Sequence, residues 1–108
     1  MRVQNAYDVP SYNPQHLMQY VNRGAVTVGI EADQNIFYHY SGGIMSSSSG
    51  CGHALDHAVV VVGYGSGYFI VRNSWGSSWG EQGYIRMAIE NGNGTCGINM
   101  APMYPTTN

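Results

Sequence analysis

The strongest constraint on the fold of this 108-residue chain is a run of four valines at positions 59–62. The run leads into the glycine-rich segment 63–67, and a second apolar run follows at positions 68–71. Two β-prone runs on either side of a glycine-rich turn are typical of a β-hairpin. We therefore expect two buried antiparallel strands joined by a three-residue loop at positions 65–67.

This hairpin would bring two polar side chains together. With that loop, Tyr64 lies opposite Tyr68, and the register places His57 opposite Trp75. Asn73 then lies on the same face, as a diagonal neighbour of His57. An amide oxygen that accepts a hydrogen bond from one imidazole nitrogen fixes the tautomer and leaves the other nitrogen for acid–base chemistry. A slip of one residue would separate the pair, so this prediction depends on the register.

Simple patterns predict the other elements. Asn13 followed by Pro14 predicts the start of a helix near residues 14–23, before Gly24. Alternating apolar residues predict a strand at 26–30, and further strands are expected at 84–89 and 98–100. An aromatic turn is expected at 36–40 and a flexible loop at 46–49. Together these elements indicate an α+β, mainly β fold, with an antiparallel barrel-like sheet and one peripheral helix.

Five ordered motifs resemble a known family. They are Asp56-His57-Ala58, Gly63-Tyr64-Gly65, Asn73-Ser74-Trp75-Gly76, Trp79-Gly80-Glu81 and Gly83-Tyr84-Ile85-Arg86. Their order and spacing are similar to those of the C-terminal half of papain-like cysteine peptidases, and closer to the plant members than to the animal ones. The resemblance implies a single domain over residues 1–108, forming the β-rich half of a two-domain fold whose active-site cleft lies between the halves.

The resemblance implies a role for several side chains near the hairpin. His57 would be the general base and the imidazolium partner of a thiolate, with Asn73 as its orienter. Trp75 would shield their hydrogen bond from water, and Trp79 would form the wall on the leaving-group side of the cleft. Plain core packing is the alternative for both tryptophans.

The resemblance also implies a substrate pocket. Its matching positions are Gly29, Ala58 and Ala101, beside the backbone of Asp56. All three residues are small and uncharged. We therefore expect the pocket to accept a bulky apolar or aromatic side chain, at the second residue on the acyl side of the cut.

The family's nucleophilic cysteine is not found in this chain. Cys51 and Cys96 lie in glycine-rich loops, whereas a reactive cysteine needs a helix N-terminus or a cation. They match positions that are bridged in related enzymes, and a structural disulfide is the preferred interpretation. A zinc site formed by Cys51, His53 and His57, with Asp56 as a fourth ligand, is the alternative. We expect no metal and no cofactor.

Composition and one sequon bear on partners and location. Charged residues make up 9% of the chain and the net charge is −2, which argues against nucleic-acid binding. No stretch approaches the roughly 20 apolar residues needed to span a membrane. Asn93-Gly94-Thr95 is an N-glycosylation sequon. With paired cysteines it favours a secreted, vacuolar or lysosomal location.

Two functions follow from these features. The first is the His57- and Asn73-bearing half of a papain-like endopeptidase that acts on peptides and proteins. Its N-terminal partner half, in the same precursor or on a separate chain, would supply the nucleophile. The alternative is an isolated, non-catalytic half-domain that binds or self-associates as a homodimer through an uncovered patch containing Trp75 and Trp79. Without a thiolate, the chain by itself is expected to be inactive.

Overall fold

A computed structural model describes residues 3–8 and 11–107, with side chains described from 11 to 103. The α-helices are α1 (Pro14–Val21) and α2 (Asn35–Tyr38). The strands are β1 (Val3–Asp8), β2 (Val26–Ile30), β3 (Ile44–Met45), β4 (His57–Gly65), β5 (Tyr68–Arg72), β6 (Tyr84–Ala88) and β7 (Met103–Thr107). Short 3-10 helices lie at Ser47–Ser49 and Thr95–Gly97.

All seven strands belong to one sheet, in the order β1-β7-β2-β4-β5-β6-β3. The neighbours are antiparallel except for β3, which runs parallel to β6. No pairing among the described residues joins β1 to β3, so the sheet is not closed. The expected α+β, mainly β class is confirmed, and the parallel edge pair makes the sheet mixed.

The predicted peripheral helix is α1. The side-chain oxygen of Asn13 accepts hydrogen bonds from the backbone nitrogens of Gln15 and His16, at 3.1 and 3.2 Å. These bonds satisfy amides that the first turn leaves without a partner. Leu17 and Val21 form the buried stripe, and α1 packs on β2 and β4. The helix ends two residues earlier than the expected 23.

The core lies against one face of β2, β4, β5 and β6. In β2 the residues at 26, 28 and 30 are buried while Thr27 is exposed, which confirms the predicted alternation. The largest fully buried side chains come from these strands, from both α-helices and from the segment after Thr95–Gly97. They are Phe37, Phe69, Leu17, Ile30, Ile85, Met87, Ile98, Val26, Val28, Val61 and Val71.

The β4–β5 hairpin differs from the prediction at its tip. Gly65 pairs with Tyr68, and Tyr64 pairs with Phe69 rather than with Tyr68, so the loop has two residues instead of three. A β-bulge between positions 61 and 63 then shifts the register back by one residue. Val60 pairs with Arg72, as the original prediction requires. The two differences cancel before the strand reaches position 57.

Other local predictions differ from the structure. The aromatic turn contains a short helix, α2, and the loop at 46–49 contains a 3-10 helix. The strand expected at 98–100 is wrong, because Ile98 and Met100 donate turn hydrogen bonds to Thr95 and Gly97. The strand expected at 84–89 is β6. Within the described residues, no helix has the length and apolar character that a membrane crossing requires.

Candidate active site

His57 and Asn73 meet at the open end of the hairpin. His57 begins β4, and Asn73 directly follows β5. The imidazole Nε2 lies 2.8 Å from the Asn73 Oδ1, so the predicted diagonal pair forms. Asn73 is only 7% exposed, and its backbone nitrogen donates to the Gly83 carbonyl at 3.1 Å. The amide is therefore held on a buried, hydrogen-bonded backbone.

A second hydrogen bond fixes the chemistry of this pair. The backbone nitrogen of Ser74 donates to the same Asn73 Oδ1 at 2.8 Å. Within the Asn73 amide only the oxygen can accept a hydrogen bond from a backbone N–H, so the orientation of the amide is set. The imidazole Nε2 must then carry a proton in order to donate to Oδ1. In the neutral ring this leaves the Nδ1 lone pair free to accept a proton.

Trp75 covers the histidine. The two ring centroids are 5.2 Å apart and the planes are inclined by 33°. Trp75 remains 37% exposed, and its other side contacts the edge of Phe37, with centroids 5.4 Å apart. An indole placed over the imidazole limits the access of water to the partly buried His57–Asn73 bond and lowers the dielectric around it.

Trp79 is buried instead of partly uncovered, which corrects one expectation. It is 9% exposed, and its Nε1 donates to the carbonyls of Phe37 and Tyr38 at 3.3 and 3.1 Å. Its ring lies 5.0 Å from that of Phe37. Most of the Trp79 side chain is therefore packed in the core, which was the alternative to a role in the cleft wall. Its remaining surface lines an open recess of about 390 Å³, together with Tyr38, Trp75 and Ser78.

Asp56 directly precedes β4 and links it to the end of β2 through hydrogen bonds. Its carboxylate accepts from the backbone nitrogen of Ala32 at 2.8 Å, and its own nitrogen donates to the Ile30 carbonyl at 2.9 Å. Asp56 also borders a shallow recess of about 200 Å³ beside His57. The other residues of this recess are Ala32, Asp33 and Trp75.

Glu31 is a site-supporting residue that the sequence reasoning missed. It is 6% exposed, and its carboxylate accepts from the Ala54 nitrogen at 2.7 Å and the Gln34 Nε2 at 3.0 Å. These donors, Gln34 first, lower the pKa of Glu31 to about 2. A side-chain hydrogen bond with the Glu31 carboxylate in turn raises the pKa of Asp33. An acid at the end of an apolar strand was the available signal, since such a residue needs buried donors.

The expected pocket residues lie on neighbouring strands. Gly29 pairs with Ala58, and Thr27 pairs with Met103, two residues after Ala101. Gly29 and Ala58 lie on the face of the sheet opposite the core, and Ala101 is exposed. Leu55, which the sequence reasoning missed, packs against Gly29. A Cβ at Gly29 would lie 3.2 Å from the Leu55 Cδ1.

The two cysteines form the predicted disulfide. Cys51 and Cys96 are bonded, with their Cα atoms 5.2 Å apart, and both are fully buried. Cys51 therefore cannot bind a metal as a thiolate, and the alternative zinc site that included it does not form.

The sequon lies in the turn that follows β6. Asn93 is exposed, whereas Thr95 is buried and its hydroxyl donates to the Ala88 carbonyl at 2.9 Å. The acceptor side chain of the sequon is thus accessible from solvent.

Known proteins share this arrangement of elements. Residues 1–106 match the family described as papain family cysteine protease. The chain is 48% identical over 107 residues to cysteine proteinase RD21A of Arabidopsis thaliana, covering 94% of this chain and 23% of that protein. It is 46% identical over 108 residues to fruit bromelain of Ananas comosus, covering 93% of this chain and 30% of that protein.

The solved structures agree with the sequence relatives. The Carica candamarcensis cysteine protease CMS1MS2, in complex with E-64, superposes with a TM-score of 0.91 at 39% identity. That match covers 99% of this chain and 50% of the Carica chain. The present chain thus spans less than a third of the two curated relatives and half of the solved one. On the family match and these identities, this chain belongs to the papain family of cysteine proteases.

Proposed function

We propose that this chain supplies the general base, His57, and its orienter, Asn73, to a papain-type endopeptidase site. The observation that carries the proposal is the fixed geometry of this pair. Two N–H donors converge on the Asn73 Oδ1, so the His57 Nδ1 is left to accept a proton. This arrangement suits proton transfer from a nucleophile to the imidazole.

The nucleophile would come from the N-terminal partner half. Both cysteines of this chain are consumed by the disulfide, so neither can attack a carbonyl carbon. A thiol placed near Nδ1 would give its proton to His57, and the resulting thiolate would attack the peptide bond. The imidazolium would then protonate the leaving amine. Throughout, the bond from Nε2 to Asn73 would hold the ring in place.

The substrates proposed are peptides with a bulky apolar or aromatic side chain at the second residue on the acyl side. Support comes from the small residues Gly29 and Ala58, which pair on neighbouring strands, and from the apolar side chain of Leu55, which packs beside Gly29. The pocket positions themselves carry no acidic side chain that would favour a basic substrate residue.

The proposed location is an oxidising compartment, secreted or vacuolar. The buried disulfide supports it, because such bonds persist where thiols are not kept reduced. The exposed Asn93 adds support, since N-glycosylation occurs on the secretory route.

A chimeric enzyme tests the proposed function. Residues 1–108 would replace the matching half of the Carica protease, leaving that enzyme's other half to provide the thiol. We expect the chimera to react with an epoxide that alkylates papain-type thiolates, and to cleave peptides. The variant His57→Ala should lower kcat by about 10²- to 10⁴-fold, the usual contribution of a general base.

His39→Ala is the matched control, because His39 is an exposed histidine outside the His57–Asn73 site. It should leave both readouts unchanged. A folded chimera that cleaves peptides equally well with and without His57 would refute the proposed role.

A further inference from the structure

The turn after β6 contains two consecutive Asn-Gly pairs, Asn91-Gly92 and Asn93-Gly94. The first three of these residues are exposed, and Gly94 is buried. In an Asn-Gly pair the glycine has no Cβ, so its backbone nitrogen can approach the asparagine side-chain carbon closely. This approach is the first step of deamidation, and it requires the peptide unit between the two residues to rotate.

Neither the Asn91 carbonyl nor the Gly92 N–H makes a hydrogen bond among the described residues. The side-chain nitrogen of Asn99 donates to the carbonyls of Glu90 and Gly92, at 2.7 and 3.2 Å. These bonds hold the carbonyls on either side but not the unit between them. That unit can turn through opposite changes in ψ of Asn91 and φ of Gly92. Gly92 has a φ of 70°, and glycine accepts a wide range of φ at little cost.

The peptide unit between Asn93 and Gly94 is held. The carbonyl of Asn93 accepts from the backbone nitrogen of Asn99 at 3.0 Å. The side chain of Asn99 also packs directly on Gly94, where an added Cβ would lie 2.7 Å from its Cγ. Asn99 is 2% exposed, so rotation of this unit would break a hydrogen bond and displace a buried side chain.

We propose that Asn91 is a site of spontaneous deamidation in the folded protein and that Asn93 is protected. The Gly92 nitrogen attacks the Cγ of Asn91 and loses its proton. The Asn91 side-chain nitrogen leaves as ammonia, which closes a five-membered succinimide ring. Water then opens the ring at either carbonyl and yields aspartate or isoaspartate at position 91.

The product changes the surface beside the sequon. A new carboxylate at position 91 would lie next to Glu90, in a recess of about 240 Å³ that His53 and Asn93 also line. Isoaspartate would in addition lengthen the backbone between the two carbonyls that Asn99 holds. The fraction of chains with aspartate or isoaspartate at position 91 would thus increase with the age of the protein.

The test compares the two asparagines within one chain. Unglycosylated protein with its disulfide intact would be incubated in mildly alkaline buffer, and conversion at positions 91 and 93 followed by mass-spectrometric peptide mapping. We expect conversion at Asn91 to be about tenfold faster than at Asn93, or more, because a hydrogen bond must open at the second site. After reduction and unfolding in urea the two rates should become comparable.

Asn91→Gln is the control, since the longer side chain closes the ring less readily and the signal at position 91 should disappear. Amide hydrogen exchange in β4 and β5 would verify that the incubated chain is folded. Equal rates at both asparagines in the folded chain would overturn the proposal. So would conversion at Asn91 that appears only after unfolding.

Discussion

Asn73 determines which nitrogen of His57 is available for chemistry. Its Oδ1 accepts two hydrogen bonds, one from the imidazole and one from the Ser74 backbone nitrogen. Its Nδ2 is buried and has no hydrogen-bond partner among the described residues. Both features follow from the position of Asn73 at the end of β5, where the chain leaves the hairpin. In the proposed site, Asn73 would act through the orientation of His57.

Replacing Asn73 tests this positioning role. In the chimeric enzyme, Asn73→Ala should lower kcat by about 10- to 100-fold, because loss of one buried hydrogen bond costs about 1–3 kcal/mol. KM should change little, since Asn73 is not among the residues expected to contact the substrate. Steady-state kinetics measure both constants, and Asn91→Ala, at an exposed asparagine, is the control. A raised KM with an unchanged kcat would contradict the positioning role.

Sequence reasoning placed His57 beside Asn73 with a register that assumed a three-residue loop, and the two-residue loop and the bulge in β4 together give the same arrangement. It missed Glu31 and Leu55. The Glu31 carboxylate meets the Ala54 nitrogen only because the loop before β4 folds back over the end of β2. Loop paths of this kind are set by several weak contacts at once, and no short pattern in the sequence records them.

At the scale of elements, the loop length predicted for the hairpin is wrong, whereas the arrangement of His57 and Asn73 at its open end is correct. The loop has two residues instead of three, and the bulge in β4 restores the register. Glycine at positions 63, 65 and 67 allows several turn types and bulge positions at similar cost. The sequence therefore constrained the pairing of His57 with Asn73 through its family motifs better than it constrained the turn between their strands.

Arg86 of β6 forms an ion pair with Glu81, at 2.8 Å. Glu81 also accepts from the Gly43 nitrogen at 3.0 Å, which ties the loop before β3 to β6. Chiefly through Arg86, these contacts lower the pKa of Glu81 from 4.5 to about 2. The stabilisation is fully present above pH 4.5 and is lost as the pH falls towards 2.

Glu81→Gln should remove this acid-dependent stabilisation. Because the pair is partly exposed, we expect the free energy of unfolding at neutral pH to fall by about 1 kcal/mol or less. Below pH 4.5 the difference between variant and parent should shrink, as the carboxylate of the parent becomes protonated. Urea unfolding across this range measures the effect. Glu90→Gln, at a carboxylate with no ion pair among the described residues, is the control. A difference that stays constant down to pH 2 would contradict the assignment.

At the scale of the whole molecule, the disulfide joins two distant stretches of chain. It closes a loop of 45 residues between the segment before β4 and the 3-10 helix after β6. The family resemblance was sufficient to predict it. The sequence did not reveal that the Cys96 carbonyl also accepts from the Glu31 nitrogen, at 2.9 Å, since this contact needs both loops in place.

Removing both cysteines should destabilise the whole chain. The double variant Cys51→Ala, Cys96→Ala should lose about 4 kcal/mol of unfolding free energy in the chain-entropy model. That is a large share of the roughly 5–15 kcal/mol typical of a domain. Urea unfolding measures the change, and the parent protein under reducing conditions should match the variant. A loss below about 1 kcal/mol would show that the bond contributes little beyond the packed core.

The loop between Cys51 and His57 is held at both ends by contacts within this chain. Cys51 forms a disulfide with Cys96, the Ala54 nitrogen donates to Glu31, and the Asp56 nitrogen donates to the Ile30 carbonyl of β2. Association with a thiol-bearing half would then resemble the docking of two rigid bodies. Little conformational entropy would be lost on this side of the interface, so the encounter rate would depend mainly on shape and orientation.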